Sequence, residues 1–148
     1  MSLLCNYPLT LQLKLLKKNK TKPSDIELVR TEIDVMKLCH HPNVVHLLDH
    51  FENAEYIFIV MEYIRVGRLT DYMKEKKFNF TKKRAAEIIY QISLGLKYLH
   101  KYGIIHRDLK PYNIMLTEAG DKGQIKIMDF GLSKILGKKK KLFLQRYL

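Results

Sequence analysis

Leu9, Leu11, Leu13 and Leu15 alternate with Thr10, Gln12 and Lys14 in "LTLQLKL", a period of two that predicts a half-buried strand. After Pro23 the pattern changes. "SDIE" offers Ser24 as a helix N-cap with Glu27 three residues on as its capping-box partner, and Ile26, Val29, Ile33 and Met36 recur on one helical face. A helix over 24–39 follows. "HPNVVHLLDHFE" and "EYIFIVMEY" are β-branched and aromatic runs parted by "ENAE", which predicts an antiparallel strand pair with its second member buried on both faces. From Thr81 a long helix turns Ala85, Ile88, Ile92, Leu96 and Leu99 inward and stops at Gly103. The predicted order is strand, helix, two strands, then mostly helix, with no internal repeat and one low-complexity element, "KKKK" at 138–141.

Composition bounds the class. At 148 residues, 47% hydrophobic and 28% charged, the chain fits one soluble globular domain or part of one. Its longest apolar run, "YIFIVM" at 56–61, is far short of the ~18 residues a membrane helix needs, and no signal-peptide pattern opens the chain. An intracellular, cytoplasmic protein without membrane contact is expected. Cys5 and Cys39 lack the further cysteines of a disulfide frame or zinc site and read as inert thiols. His40, His41, His46 and His50 converge with no carboxylate or cysteine pattern that would make a metal site.

The net charge of +12 invites a nucleic-acid reading, but residues 1–24 supply +5 and residues 133–148 supply +6, leaving +1 between them. A nucleic-acid face needs its cations spread over a folded surface among aromatic or helical readers. No nucleic-acid partner is therefore expected. A binder of polyanions through its tails would instead show steep salt dependence, lost on removing residues 133–148.

Chemistry concentrates late in the chain. In "HRDLKPYNIM" at 106–115, Asp108 and Asn113 stand five apart in a proline-containing loop after a helix stop, and Asp129 leads "DFG", where Gly131 lets the chain turn. Two carboxylates and an amide are hard oxygen donors suited to Mg²⁺, which shares its shell with substrate phosphates. Lys110 beside Asp108 would neutralise a transferred phosphoryl group.

These segments, with "HPN" and the helix before it, resemble the eukaryotic protein kinase superfamily, whose catalytic loop reads H-R-D-L-K-P-x-N and whose metal-binding turn reads D-F-G. Lysine at 110 resembles the serine/threonine branch, and the wording of the helix and loop is most similar to the calcium/calmodulin-dependent group. The resemblance implies that Asp108 orients the substrate hydroxyl and accepts its proton, Lys110 meets the γ-phosphate, and Asn113 and Asp129 hold Mg²⁺. "LQLKLLKK" is similar to the family's V-A-I-K strand. Lys14, with Lys17 and Lys18 as competitors, would then pair with Glu32 of the helix. "IVMEYI" resembles the last small-lobe strand and hinge, with Met61 as gatekeeper, the Glu62 carbonyl and Ile64 amide on adenine, and Met115 as the floor. Gln12 falls where the family has alanine against adenine, and a bulky amide there would crowd the nucleotide. Arg68 falls where many relatives carry an acid that binds ribose, with Asp71 as the alternative.

The implied fold is α+β, a protein-kinase-like two-lobe fold incomplete at both ends. Residues 9–63 would form a partial small lobe and 64–137 a partial large lobe through DFG, with 1–8 and 138–148 as unmatched tails. None of the seven glycines has the spacing of a G-x-G-x-x-G loop, and after "DFGLSKILG" only "KKKKLFLQRYL" follows. Ser133 is the one Ser or Thr beyond Asp129, which leaves Arg107 without a phosphothreonine partner. Since losing one charge-stabilising donor costs ~10² to 10³ in turnover, activity near or below detection is expected. The expected function is ATP-dependent phosphorylation of protein Ser/Thr hydroxyls, with ATP and Mg²⁺ as cofactors. A catalytically impaired, pseudokinase-like docking module is the alternative. A protein substrate is the expected partner, with a docking partner over the large-lobe face of the long helix, where Ile88, Ile92 and Leu96 should be partly exposed.

Overall fold

In the computed structural model, residues 10–118 and 123–136 are described. Strands β1 (Leu11–Lys17), β2 (Leu47–Glu52) and β3 (Tyr56–Glu62) form an antiparallel sheet in the order β1-β3-β2, with helix α1 (Pro23–Leu38) packed beside it. A short strand β4 (Gly67–Arg68) leads into α2 (Leu69–Glu75), and α3 (Lys82–Lys101) runs behind it. Strands β6 (Ile114–Leu116) and β7 (Ile125–Ile127) join β4 in a second antiparallel sheet. A third pairs β5 (Ile104–Ile105) with β8 (Lys134–Ile135). Both chemistry-bearing segments lie in the loops between these small strands. No helix among the described residues is long and apolar enough to cross a membrane.

The alternation in β1 is present with its faces reversed: Leu11, Leu13 and Leu15 are exposed, while Gln12, Lys14 and Leu16 turn inward. Three leucines on a solvent face are costly by the transfer of apolar area. In this register Lys14 Nζ lies 2.6 Å from Glu32 Oε2, with the polar row facing α1.

Helix α1 begins two residues earlier than its capping box implies, with Lys22 in place of Ser24 as N-cap. Pro23 takes the first helical position, a role its fixed φ suits. Ser24 Oγ turns to Asp25 Oδ1, at 3.3 Å, rather than capping. Val29, Ile33 and Met36 are buried as the periodicity requires, and Glu32 is buried with them. β3 alternates between buried and half-buried positions, so only the row of Ile57, Ile59 and Met61 is fully covered.

Thr81 caps α3 by accepting the Arg84 N–H, at 3.1 Å, and Gly103 ends the turn beyond the helix at φ +72°. Of the predicted inner face, Ile88 and Leu99 are buried, Ile92 and Leu96 are half-buried, and Ala85 is exposed. The exposure expected of Ile88 falls instead on its neighbours Ile89 and Tyr90. Ile88 lies toward α2, where Leu69, Met73 and Phe80 line one apolar groove with it.

Candidate active site

His106 sits at the head of the first chemistry-bearing loop and organises both segments. Its Nε2 lies 2.9 Å from the Met128 carbonyl, and its Nδ1 lies 3.3 Å from the Asp108 N–H. A carbonyl can only accept, so Nε2 carries the proton and Nδ1 receives the Asp108 amide. One buried imidazole thus ties the residue before Asp129 to Asp108 itself. Arg107 between them has φ +66° and donates its Nε–H to the Leu132 carbonyl at 2.5 Å, and Asp129 has φ +63°. Left-handed backbone at non-glycine residues costs ~1–2 kcal/mol each, sustained only where surrounding bonds impose it.

Asp108, Lys110 and Asn113 form one network. Lys110 Nζ lies 2.7 and 3.0 Å from the two Asp108 carboxylate oxygens, and Asn113 Nδ2 donates to the Asp108 carbonyl and to Oδ2, both at 2.9 Å. The Lys110 hydrogen bond, then that of Asn113, holds the Asp108 carboxyl below the usual aspartate range. Asn113 is fixed further, for its carbonyl accepts the Met128 N–H at 2.9 Å. The 3₁₀ turn Pro111–Asn113 makes this possible by folding the loop back beneath Asp108.

A cleft between the β1–β3 sheet and this loop gathers Lys14, Glu32, Met61, Asn113, Met115 and Asp129. Lys14, rather than Lys17 or Lys18, makes the pair with Glu32; Lys18 pairs with Glu52. Gln12 and Arg68 also line the cleft, and Gln12 stands opposite Met61 in the strand register. Asp71 does not line it. Lys110 lines the neighbouring apolar groove with Leu109 and Pro111. Glu62 and Ile64 do not line the cleft with their side chains: Ile64 is buried, and the Glu62 carboxylate accepts the His46 N–H and Lys126 Nζ, both at 2.7 Å.

The donor set suits a hard cation. Both Asn113 amide hydrogens' nitrogen contacts go to Asp108, which leaves the side-chain oxygen available. Asp129 makes no salt bridge among the described residues, and both line one cleft. Two protein oxygens with phosphates and water completing the shell is the manner in which Mg²⁺ is commonly held.

Several positioning residues were not legible in the sequence. Asn43 Nδ2 donates to the Ile125 carbonyl at 3.0 Å and to Gln91 Oε1 at 3.2 Å, and its carbonyl accepts the Ile127 N–H at 2.9 Å. It fastens "HPN" to the strand that precedes Asp129. The Asn43 N–H also bonds His41 Nδ1, at 3.1 Å; burial, and then Lys126, hold His41 below the usual histidine range. Burial pushes the Cys39 thiol up to about 12, in keeping with an inert cysteine, while Cys5 lies outside the described residues.

The protein kinase domain family matches residues 9–147. A probable myosin light chain kinase of Dictyostelium discoideum is 43% identical over 125 residues, which cover 84% of this chain and 36% of that protein. The calcium/calmodulin-dependent protein kinase type IV of Homo sapiens is 41% identical over 124 residues, 84% of this chain and 25% of that protein. A serine/threonine-protein kinase of Caenorhabditis briggsae is 36% identical over 126 residues, 85% of this chain and 11% of that protein. The chain spans little more than a third of the length of these relatives at most.

Proposed function

This chain belongs to the protein kinase domain family, and from that premise we propose that it transfers the γ-phosphoryl group of ATP to serine and threonine hydroxyls of proteins. The observation that carries the reading is the Asp108–Lys110–Asn113 network standing next to a cleft lined by Lys14, Glu32, Asn113 and Asp129. Residues 9–63 act as small lobe and hinge and residues 64–137 as the large-lobe part, with the cleft between them. A cytoplasmic setting, where ATP is at hand, belongs to the same reading.

Adenine would lie between Met61 and Met115, bonded by the Glu62 carbonyl and the Ile64 amide, with Gln12 narrowing the space above it. Lys14, held by Glu32, directs its ammonium at the nucleotide phosphates. Asn113 and Asp129 are the residues that would hold Mg²⁺, which when bound draws charge from the phosphoryl group. Asp108 accepts a hydrogen bond from the substrate hydroxyl and aims its oxygen at the γ-phosphorus. As that P–O bond forms, the bond to the β,γ-bridging oxygen breaks, ADP leaves, and the hydroxyl proton passes to Asp108. Lys110 is placed to swing from Asp108 to the transferred group, and His106 keeps Asp108 and Asp129 in mutual position. A docking partner would sit on the apolar groove between α2 and α3.

Phosphotransfer from radiolabelled ATP to a mixed Ser/Thr substrate protein tests this. Slow Mg²⁺-dependent labelling is expected, falling by ~10² to 10⁴ in Asp108→Ala. Labelling equal in wild type and variant would refute the assignment.

A further inference from the structure

Residues 65–83 hold seven lysines and arginines against Asp71 and Glu75, a net +5 in nineteen residues. Acids elsewhere between the two ends cancel it in the overall count. All seven cations are exposed, and none forms a salt bridge among the described residues. A merely solvated face balances both signs, whereas here seven cations outnumber two acids.

Its location gives the charge a use. The shelf follows β3, includes β4 and α2, and ends in the first turn of α3; α2 packs against the Pro111–Asn113 turn of the catalytic loop. At the inner end, the Arg68 guanidinium lies 3.7 Å from the centre of the Tyr112 ring, and both residues are exposed where they line the cleft. Stacking holds a long side chain in place while its N–H edge keeps the bidentate geometry that carboxylates match. Tyr112 adjoins Asn113, which bonds Asp108 and lines the same cleft, so the Arg68–Tyr112 corner stands beside the carboxylate.

We propose that this shelf recognises acidic residues next to the phosphorylated serine or threonine, with Arg68 as the specificity-determining residue, so that the protein substrates are acidic segments. This rests on the kinase reading for the presence of a hydroxyl at Asp108. The sign of the charge excludes other occupants from the same chain: residues 138–148 carry five cations and no acid, and a second copy brings a net +12.

The test is equilibrium binding of fluorescent peptides to the full chain, followed by anisotropy. Each peptide has one central serine, flanked by acidic, neutral or basic residues. The acidic peptide is expected to bind about tenfold tighter than the neutral one at low salt, with the margin shrinking as salt rises. Arg68→Glu should weaken it by about tenfold, and Lys82→Glu with Lys83→Glu by a few-fold. The latter pair places carboxylates in the first turn of α3, where the helix dipole favours them, so a retained melt is expected. Neutral or basic peptides binding as tightly, or an acidic-peptide affinity indifferent to Arg68→Glu, would overturn the proposal. So would a single-stranded RNA that binds more tightly than the acidic peptide. Mg·ATP titration of the same samples separates the two readings. Nucleotide binding without acidic preference sinks this proposal alone, whereas acidic preference without nucleotide binding sinks the kinase reading and, with it, the assignment of the acidic segment as a phosphorylation substrate.

Discussion

Asp108 is kept ionised by the Lys110 ammonium and the Asn113 amide, so the carboxylate proposed to receive the hydroxyl is also the one whose titration is displaced downward. A depressed folded value means that the interaction is present above the ordinary aspartate range and is lost as pH falls through the depressed one. Carboxyl-carbon NMR should therefore place the Asp108 titration below the usual range in wild type, and Lys110→Met should move it upward. A midpoint that does not move would show that Lys110 is not the cause. The residues of this network were legible in the sequence because their types and spacing carry the chemistry. Asn43 and the pairing of Lys126 with Glu62 were not, since their role comes from residues 48 or more positions away meeting across the fold.

Elements were legible where periodicity alone decides, as in the body of α1 and in α3, and illegible where a distant partner decides. β1 is the clearest case: the alternation of its leucines is correct, but the polar row faces inward, where Lys14 meets Glu32, 18 residues on. The start of α1 is another, for Pro23 outcompetes the capping box that Ser24 offers. Gly95 in α3 has a similar hidden constraint. A Cβ there would lie 2.7 Å from Ile127 Cδ1 and 3.1 Å from the Asn43 carbonyl, both in the packed region behind Asp129. Gly95→Ala should lower stability by about 1 kcal/mol, an overpacking cost of ~1–3 partly offset by the ~1 that alanine gains in a helix. Thermal denaturation reads this, and an unchanged or raised midpoint would mean that α3 and β7 are less tightly apposed than the distances imply.

At the scale of the whole molecule, the two carboxylate-bearing loops each link the β4-β6-β7 sheet to the β5-β8 pair, and His106 and Asn113 join them through the Met128 backbone. The cleft adds the first sheet and α1 through Lys14 and Glu32, so its assembly depends on three separate regions of the chain. The end-weighted charge was legible from counting, but the basic shelf beside the 106–113 loop was not, because a net of +1 between the ends averages over it. The central claim is that these regions form a working Mg·ATP site. Calorimetric titration of Mg·ATP into the full chain, wild type beside Asp129→Ala and Lys14→Met, tests it most directly. Saturable, Mg²⁺-dependent binding that weakens by tenfold or more in both variants, ~1.4 kcal/mol, is the expected result. Binding that ignores both substitutions, or no binding by a wild type that melts cooperatively, would contradict it.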